Sequence, residues 1–170
     1  MPSLSPSFTG YNLATAVKSV FRKYARFSGR ATLSEFWYWT LGQTVIFILL
    51  WMLSLAFMLN LFIFNDPQQM PPSRVFNHVL AGESPVLLWA LFTLLPSLAV
   101  GCRRLHDTNK SGALLLLNLI PLAGPILLII FFCEDSQRET NQYGPSEKYP
   151  EGSDLSLIHI SEPTRQEAIS

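Results

Sequence analysis

Leu41–Phe64 reads LGQTVIFILLWMLSLAFMLNLFIF, 24 residues without one charged side chain. The charge-free interval around it is longer still, 30 residues between Glu35 and Asp66. About 20 apolar residues in helical form cross a hydrocarbon core roughly 30 Å thick. A helix on the surface of a water-soluble domain needs a polar face, and this one has none. Two further intervals lack charge: 19 residues between Glu83 and Arg103, and 23 between Lys110 and Glu134. Spans are therefore expected at 41–64, 86–102 and 113–133. The fold class is an all-α membrane protein, with three transmembrane helices preceded by a basic amphipathic interfacial helix. Composition agrees: 49% of the 170 residues are hydrophobic and 14% charged, against roughly 25% charged in soluble domains. The length suits one small multi-pass domain, residues 12–150.

Within the spans, Gln43, Thr44, Ser54 and Asn60 are expected to face other helices rather than lipid. No ionisable residue falls inside an expected span, which argues against a stand-alone coupled transporter. Asn65-Asp66-Pro67 stops the first helix, and the loop to Ser84 carries Pro71-Pro72 and one base, Arg74. Pro96 bends the second span. Pro121 and Gly124-Pro125 interrupt the third, for which a re-entrant hairpin is the alternative to a single crossing.

Ahead of the first span, Leu13, Val17, Val20, Phe21 and Tyr24 recur at helical spacing. Lys18, Arg22, Lys23 and Arg26 fill the remaining face, as suits a surface of anionic lipid. Packing against the protein's own spans is a compatible alternative. Thr32-Leu33-Ser34-Glu35 has the form of a capping box, and Phe36–Trp39 reads as an interfacial aromatic belt. Met1–Gly10 lacks the apolar core of a cleaved signal, so the first span is expected to direct insertion. Basic residues number five in the N-terminal segment, one in the first loop and three in the second. The N-terminus is therefore expected in the cytoplasm, and three crossings send the C-terminus outside. Residues 151–170 are expected to be a disordered tail. From Asp154 it reads DLSLIHISEPTRQEAIS, which resembles translated sequencing-adapter read-through and is assigned no function.

Cys102 and Cys133 form neither a disulfide framework nor a metal-ligand pattern. The densest polar segment is Arg103–Gly112, at the boundary between two spans. With Arg30 and Glu35 it supplies the candidate polar cluster or lipid headgroup contact: Arg30, Glu35, Arg103, Arg104, His106, Asp107 and Lys110. Three readings compete. In the first, His106 and Asp107 form an acid–base or metal pair and the arginines bind phosphate. Metal chemistry needs further ligands, and the other histidines are His78, on the opposite side, and His159 in the tail. In the second, Arg103, Arg104 and Lys110 hold anionic headgroups. In the third, a carboxylate near the boundary demands a partner, so Glu35 pairs with Arg103 or Arg104, and Asp107 and His106 complete a polar lock. No catalytic residue, metal or cofactor is assigned.

Phe27-Ser28-Gly29-Arg30-Ala31-Thr32-Leu33-Ser34-Glu35-Phe36-Trp37 resembles the opening motif of a bacterial inner-membrane family, domain of unknown function 805. Arg103–Gly112 resembles its central signature, and Ile120–Pro125 and Asn141–Pro145 its last span and closing motif. Leu33 departs from a position where a base is common, and Ala113-Leu114 replaces an aromatic pair. The resemblance implies a small multi-pass protein of the bacterial inner (cytoplasmic) membrane and brings no activity, substrate or cofactor. The expected role is a non-enzymatic interaction or anionic-lipid-associating component, partnered by membrane lipids and by a homo-oligomer or membrane complex, without nucleic acid. The alternatives are a subunit of a transport or channel assembly, and a membrane-bound enzyme acting on lipid or phosphate.

Overall fold

The computed structural model describes residues 11–64 and 69–149. The expectations for Met1–Gly10, for the Asn65–Pro67 stop and for the tail lie outside them. The described residues are helical: α1 Leu13–Arg22, α2 Leu33–Phe64, α3 Pro72–Asp107, a 3-10 helix Gly112–Leu119, and α4 Ala123–Cys133. Of these, α2 and α3 are long and apolar enough to cross a membrane.

α1 starts at Asn12, whose side chain accepts from the Thr15 N–H at 2.9 Å while Thr15 Oγ1 accepts from the Asn12 N–H. Its apolar stripe faces inward. Ala16 and Val20 are buried, and Val20 joins Ala31, Phe36, Trp39 and Val100 in the core. Phe21 meets Trp39 edge-on at 5.3 Å and lies 5.7 Å from Phe92, so α1 crosses the ends of both long helices. The turn into α2 uses Gly29 at φ 90°, a left-handed conformation that a side chain would strain. At the α2 start Thr32 Oγ1 accepts from the Glu35 N–H at 3.2 Å. The reciprocal half of the expected capping box is missing, because Glu35 turns its carboxylate toward Arg103 and Ser19.

α3 runs antiparallel to α2 and begins much earlier than expected. Residues 72–84 are helix rather than loop, which places Glu83 inside a long apolar helix where Ser54 Oγ donates to it at 2.9 Å. Glu83 thus lies three residues ahead of the expected 86–102 span but on the same continuous helix. Two prolines interrupt α3, at 85 and 96. A proline leaves the carbonyl four residues earlier without its helical donor, and in hydrocarbon such a group must be satisfied otherwise. Ser84 Oγ donates to Ala81 O at 3.0 Å, and the Tyr24 hydroxyl donates to Phe92 O at 2.5 Å. A side chain of the α1–α2 connection thus repairs a break in α3.

The interval 113–133 is not one rod. The 3-10 helix, about 16 Å long, and α4, also about 16 Å, are each about half the hydrocarbon thickness. They turn at Pro121-Leu122, with Leu122 at φ 65°. A Cβ on Gly124 would sit 1.8 Å from Leu117 O, so the two halves touch backbone to backbone. Phe132, near the end of α4, returns to pack against Phe36, the rings tilted by 37° with centroids 4.4 Å apart. The expected third crossing is replaced by a hairpin, because Pro121 and Gly124-Pro125 break the helix half-way. Residues 134–149 consequently lie at the same end of the molecule as α1, contrary to a C-terminal segment on the far side. Gln137 N donates to Asp107 O at 3.1 Å, and Lys23 pairs with Glu147 at 3.0 Å.

Tyr24→Phe leaves Phe92 O without a donor, an expected loss of about 1–3 kcal/mol. A thermal melt of the full chain in detergent tests it, and an unchanged midpoint rejects the repair.

Candidate functional site

The polar signature lies where α1, α2, α3 and the C-terminal segment meet. α3 ends in a Schellman arrangement, with Asn109 at φ 59°. Asn109 N donates to His106 O at 3.0 Å and Lys110 N to Leu105 O at 2.9 Å, which satisfies carbonyls of the last turn. Ser111 then caps the 3-10 helix through Ala113 N. A Cβ on Gly112 would lie 2.1 Å from Cys102 Sγ, so only glycine permits this close return. Much of the signature is thus needed to end one helix and start the next.

Its charged residues form two adjacent buried ion-pair groups with Arg30 and Glu35. Asp107 holds Arg30 Nε at 2.8 Å on Oδ1 and Arg104 Nη1 at 2.6 Å on Oδ2, and all three side chains are almost wholly buried. Arg30 Nη1 donates to Glu139 O at 2.9 Å and Gly144 O at 3.3 Å, and Nη2 donates to Asp107 O and Gln137 O. Every Arg30 N–H therefore has a partner. Arg104 Nε donates to Phe132 O at 3.1 Å and Nη2 to Glu134 O. Two arginines against one aspartate leave an excess positive charge, and five backbone carbonyls of residues 132–144 face it.

Beside this triad, Arg103 Nη1 reaches Glu35 Oε1 at 3.3 Å. Glu35 also accepts from Ser19 Oγ at 2.8 Å and lies 3.8 Å from Lys23 Nζ. Arg103 Nε and Nη2 are buried without a hydrogen bond. His106 stands apart from the ion pairs. Its Nδ1 lies 3.2 Å from Gly29 O, its Nε2 3.5 Å from Cys102 Sγ, and its ring stacks on Tyr143 at 3.7 Å. Lys110 is at the rim, paired with Glu134 and 5.1 Å from the centre of the Phe131 ring.

The structure thus brings together Arg30, Glu35, Arg103, Arg104, His106 and Asp107, with Lys110 at their edge. It turns Arg103 and Arg104 inward, where both are buried. Among the described residues no three His, Cys, Asp or Glu side chains converge as metal ligands. Sequence reasoning missed the contribution of the closing segment. Asn141 Nδ2 donates to His106 O at 2.9 Å, and Tyr143 covers the imidazole. The Asn141–Pro145 motif was the available signal, but nothing in its spacing points to His106.

A second latch holds the end of this segment. The hydrogen bond from Lys148 keeps the Asp135 carboxyl below the usual range, ahead of the opposing effect of burial, and Asp135 in turn raises Lys148. Its contribution is present above the ordinary carboxylate range and fades as pH falls through the lowered Asp135 value. At the alkaline end it persists until Lys148 loses its proton above the ordinary lysine value.

Residues 24–145 match the family described as "Protein of unknown function (DUF805)". The chain belongs to the DUF805 family. It is 34% identical over 133 residues to Inner membrane protein YhaI of Escherichia coli (strain K12), covering 77% of this chain and 93% of that protein. It is 29% identical over 131 residues to Inner membrane protein YhaH of the same strain, covering 76% and 93%. No solved structure matches. Membership places this DUF805 protein among bacterial inner-membrane proteins, in keeping with its two long apolar helices.

Removing the Asp107 carboxylate leaves two buried guanidinium groups without their counter-charge. Asp107→Ala is expected to cost about 3–5 kcal/mol and abolish accumulation of the folded protein. Wild-type levels and melting temperature in this variant would contradict the bridge.

Proposed function

We propose that this protein is a non-enzymatic, multi-pass component of the bacterial inner membrane that associates with anionic lipid through α1. In this reading α2 and α3 cross the bilayer, the 3-10 helix and α4 form a re-entrant hairpin, and both described ends of the chain are cytoplasmic. One observation carries the lipid reading. Lys18, Arg22 and Arg26 are exposed and have no acidic partner among the described residues, while Arg30, Arg103 and Arg104 are consumed internally. The three face away from the α1 stripe that packs on Trp39, and exposed Phe27 lies beside Arg26. Bases with an apolar neighbour at a membrane boundary suit phosphate headgroups.

Orientation draws support from the hairpin. α1, its connection to α2, the Arg103–Lys110 segment and residues 134–149 share one end and carry ten of the twelve bases. Among the described residues the other end has Arg74 alone. The positive-inside rule then favours the base-rich end in the cytoplasm. The enzyme reading loses support because the signature's ion pairs are closed on themselves and occupy positions needed for the fold.

Topology is tested with single cysteines at Lys18 and Glu139 in a chain lacking Cys102 and Cys133. Both are expected to react with a membrane-impermeant maleimide from the cytoplasmic side only; labelling from opposite sides would exclude the hairpin. For the lipid reading, Lys18, Arg22 and Arg26 are replaced together by Gln and the full chain is reconstituted in nanodiscs containing phosphatidylglycerol. Each base contributes about 1 kcal/mol near an anionic surface, so anionic lipid retained around α1 should fall well over ten-fold. Unchanged retention would defeat the proposal.

A further inference from the structure

Arg74, Asn77 and His78 stand at helical spacing on one face of α3. Together with Phe57, Leu61 and Met70 they line a groove of ≈ 310 Å³ between α2 and α3. Its depth follows from the opposite boundary. Trp39, buried next to the exposed Trp37 and Tyr38 at the start of α2, donates through Nε1 to Ser97 Oγ of α3 at 3.2 Å. About 20 residues of helix, roughly 30 Å, span the hydrocarbon. Counted from Ser97 they end at Asn77, and counted from Trp39 they end at Leu59. The groove therefore lies at the headgroup level of the leaflet opposite α1.

Two of its polar groups have no partner among the described residues. Among the described residues the Arg74 guanidinium and the Asn77 amide have no hydrogen bond or ion pair. His78 is held in place, with Nε2 3.3 Å from Phe57 O and its ring stacked on Phe57 at 4.2 Å. A fixed aromatic floor, an unpaired cation and an amide carrying both donor and acceptor thus share one recess. A freely diffusing anion would satisfy Arg74 but leave the Phe57 and Leu61 wall uncovered. An amphiphile covers both.

We infer that this groove binds the phosphodiester headgroup of an anionic phospholipid in the leaflet opposite α1. Arg74 meets the phosphate, Asn77 meets the glycerol oxygens, and the start of an acyl chain lies along Phe57 and Leu61. The inference rests on the proposed crossing of α2 and α3, but not on the lipid contacts of α1.

The test uses the full chain in phosphatidylcholine nanodiscs doped with phosphatidylglycerol that bears a photoreactive group near its glycerol. Crosslinked residues are mapped by mass spectrometry. Crosslinks are expected between residues 57 and 81. They should fall about five-fold in Arg74→Gln, as for the loss of one base near an anionic surface, and recover in Arg74→Lys. The variant with Gln at 18, 22 and 26 should keep them, and excess unlabelled phosphatidylglycerol should displace the probe where phosphatidylcholine does not. Groove crosslinks that persist in Arg74→Gln overturn the inference, as does displacement by phosphatidylcholine or by inorganic phosphate alone. Crosslinks confined to the lipid-facing Leu87–Leu98 stretch also overturn it, yet leave the crossing of α3 standing. Their absence along all of α2 and α3 would instead remove the spanning reading itself. Among the described residues Arg74 makes no side-chain bond, so its replacement is expected to leave melting unchanged.

Discussion

Asp107 is the charge on which the base-rich end of the molecule turns. One carboxylate joins Arg30, from the connection between α1 and α2, to Arg104 on its own helix. Two buried guanidiniums without it would repel each other in a medium that screens poorly. The carbonyls of residues 132–144 complete their coordination, so the same ionic contact decides where the C-terminal segment lies. The neighbouring Glu35–Arg103 pair ties α2 to α3 and, through Ser19, to α1. Polar contacts gather every element at this end, while the opposite halves of α2 and α3 meet mainly through apolar side chains.

Prolines account for the departures from straight rods. Pro85 and Pro96 each free a carbonyl in α3, and in each case a side-chain hydroxyl takes over as donor, Ser84 from α3 itself and Tyr24 from the α1–α2 connection. α3 therefore stays continuous over 36 residues. At Pro121 and Pro125 the freed carbonyls take backbone donors of a turn instead: Ile120 N donates to Leu117 O and Ala123 N to Pro121 O, each at 2.9 Å. There the chain reverses, with Gly124 allowing the backbones to touch. The same residue type bends one helix and ends another, and the difference lies in whether a side-chain hydroxyl or a tightened turn takes up the freed oxygen.

The long charge-free run 36–65 made α2 legible from composition alone, and the stripe from Leu13 to Tyr24 did the same for α1. The cluster was legible in part. A carboxylate at a membrane boundary calls for a base, which points to Arg103 or Arg104, but spacing cannot choose between adjacent residues on a helix. Arg30 as a partner of Asp107 was beyond reach, since 77 residues separate them. The start of α3 was misread because Pro71-Pro72 resembles a loop; Pro72 in fact occupies the first helical position, where its missing N–H costs nothing. The hairpin was hidden by length. Twenty-one uncharged residues are long enough for a crossing, and only the positions of Pro121 and Gly124 along them mark where the chain turns back.

The carbonyls that surround Arg30 belong to Gln137, Glu139 and Gly144, near the end of the described chain. During synthesis Arg30 emerges more than a hundred residues before the last of them. Asp107 follows Arg30 by 77 residues and can pair with it first, but the three carbonyls arrive only near the end of synthesis. The coordination of Arg30 is therefore completed late, and a chain that stopped before Gln137 would leave three of its five N–H groups without those oxygens.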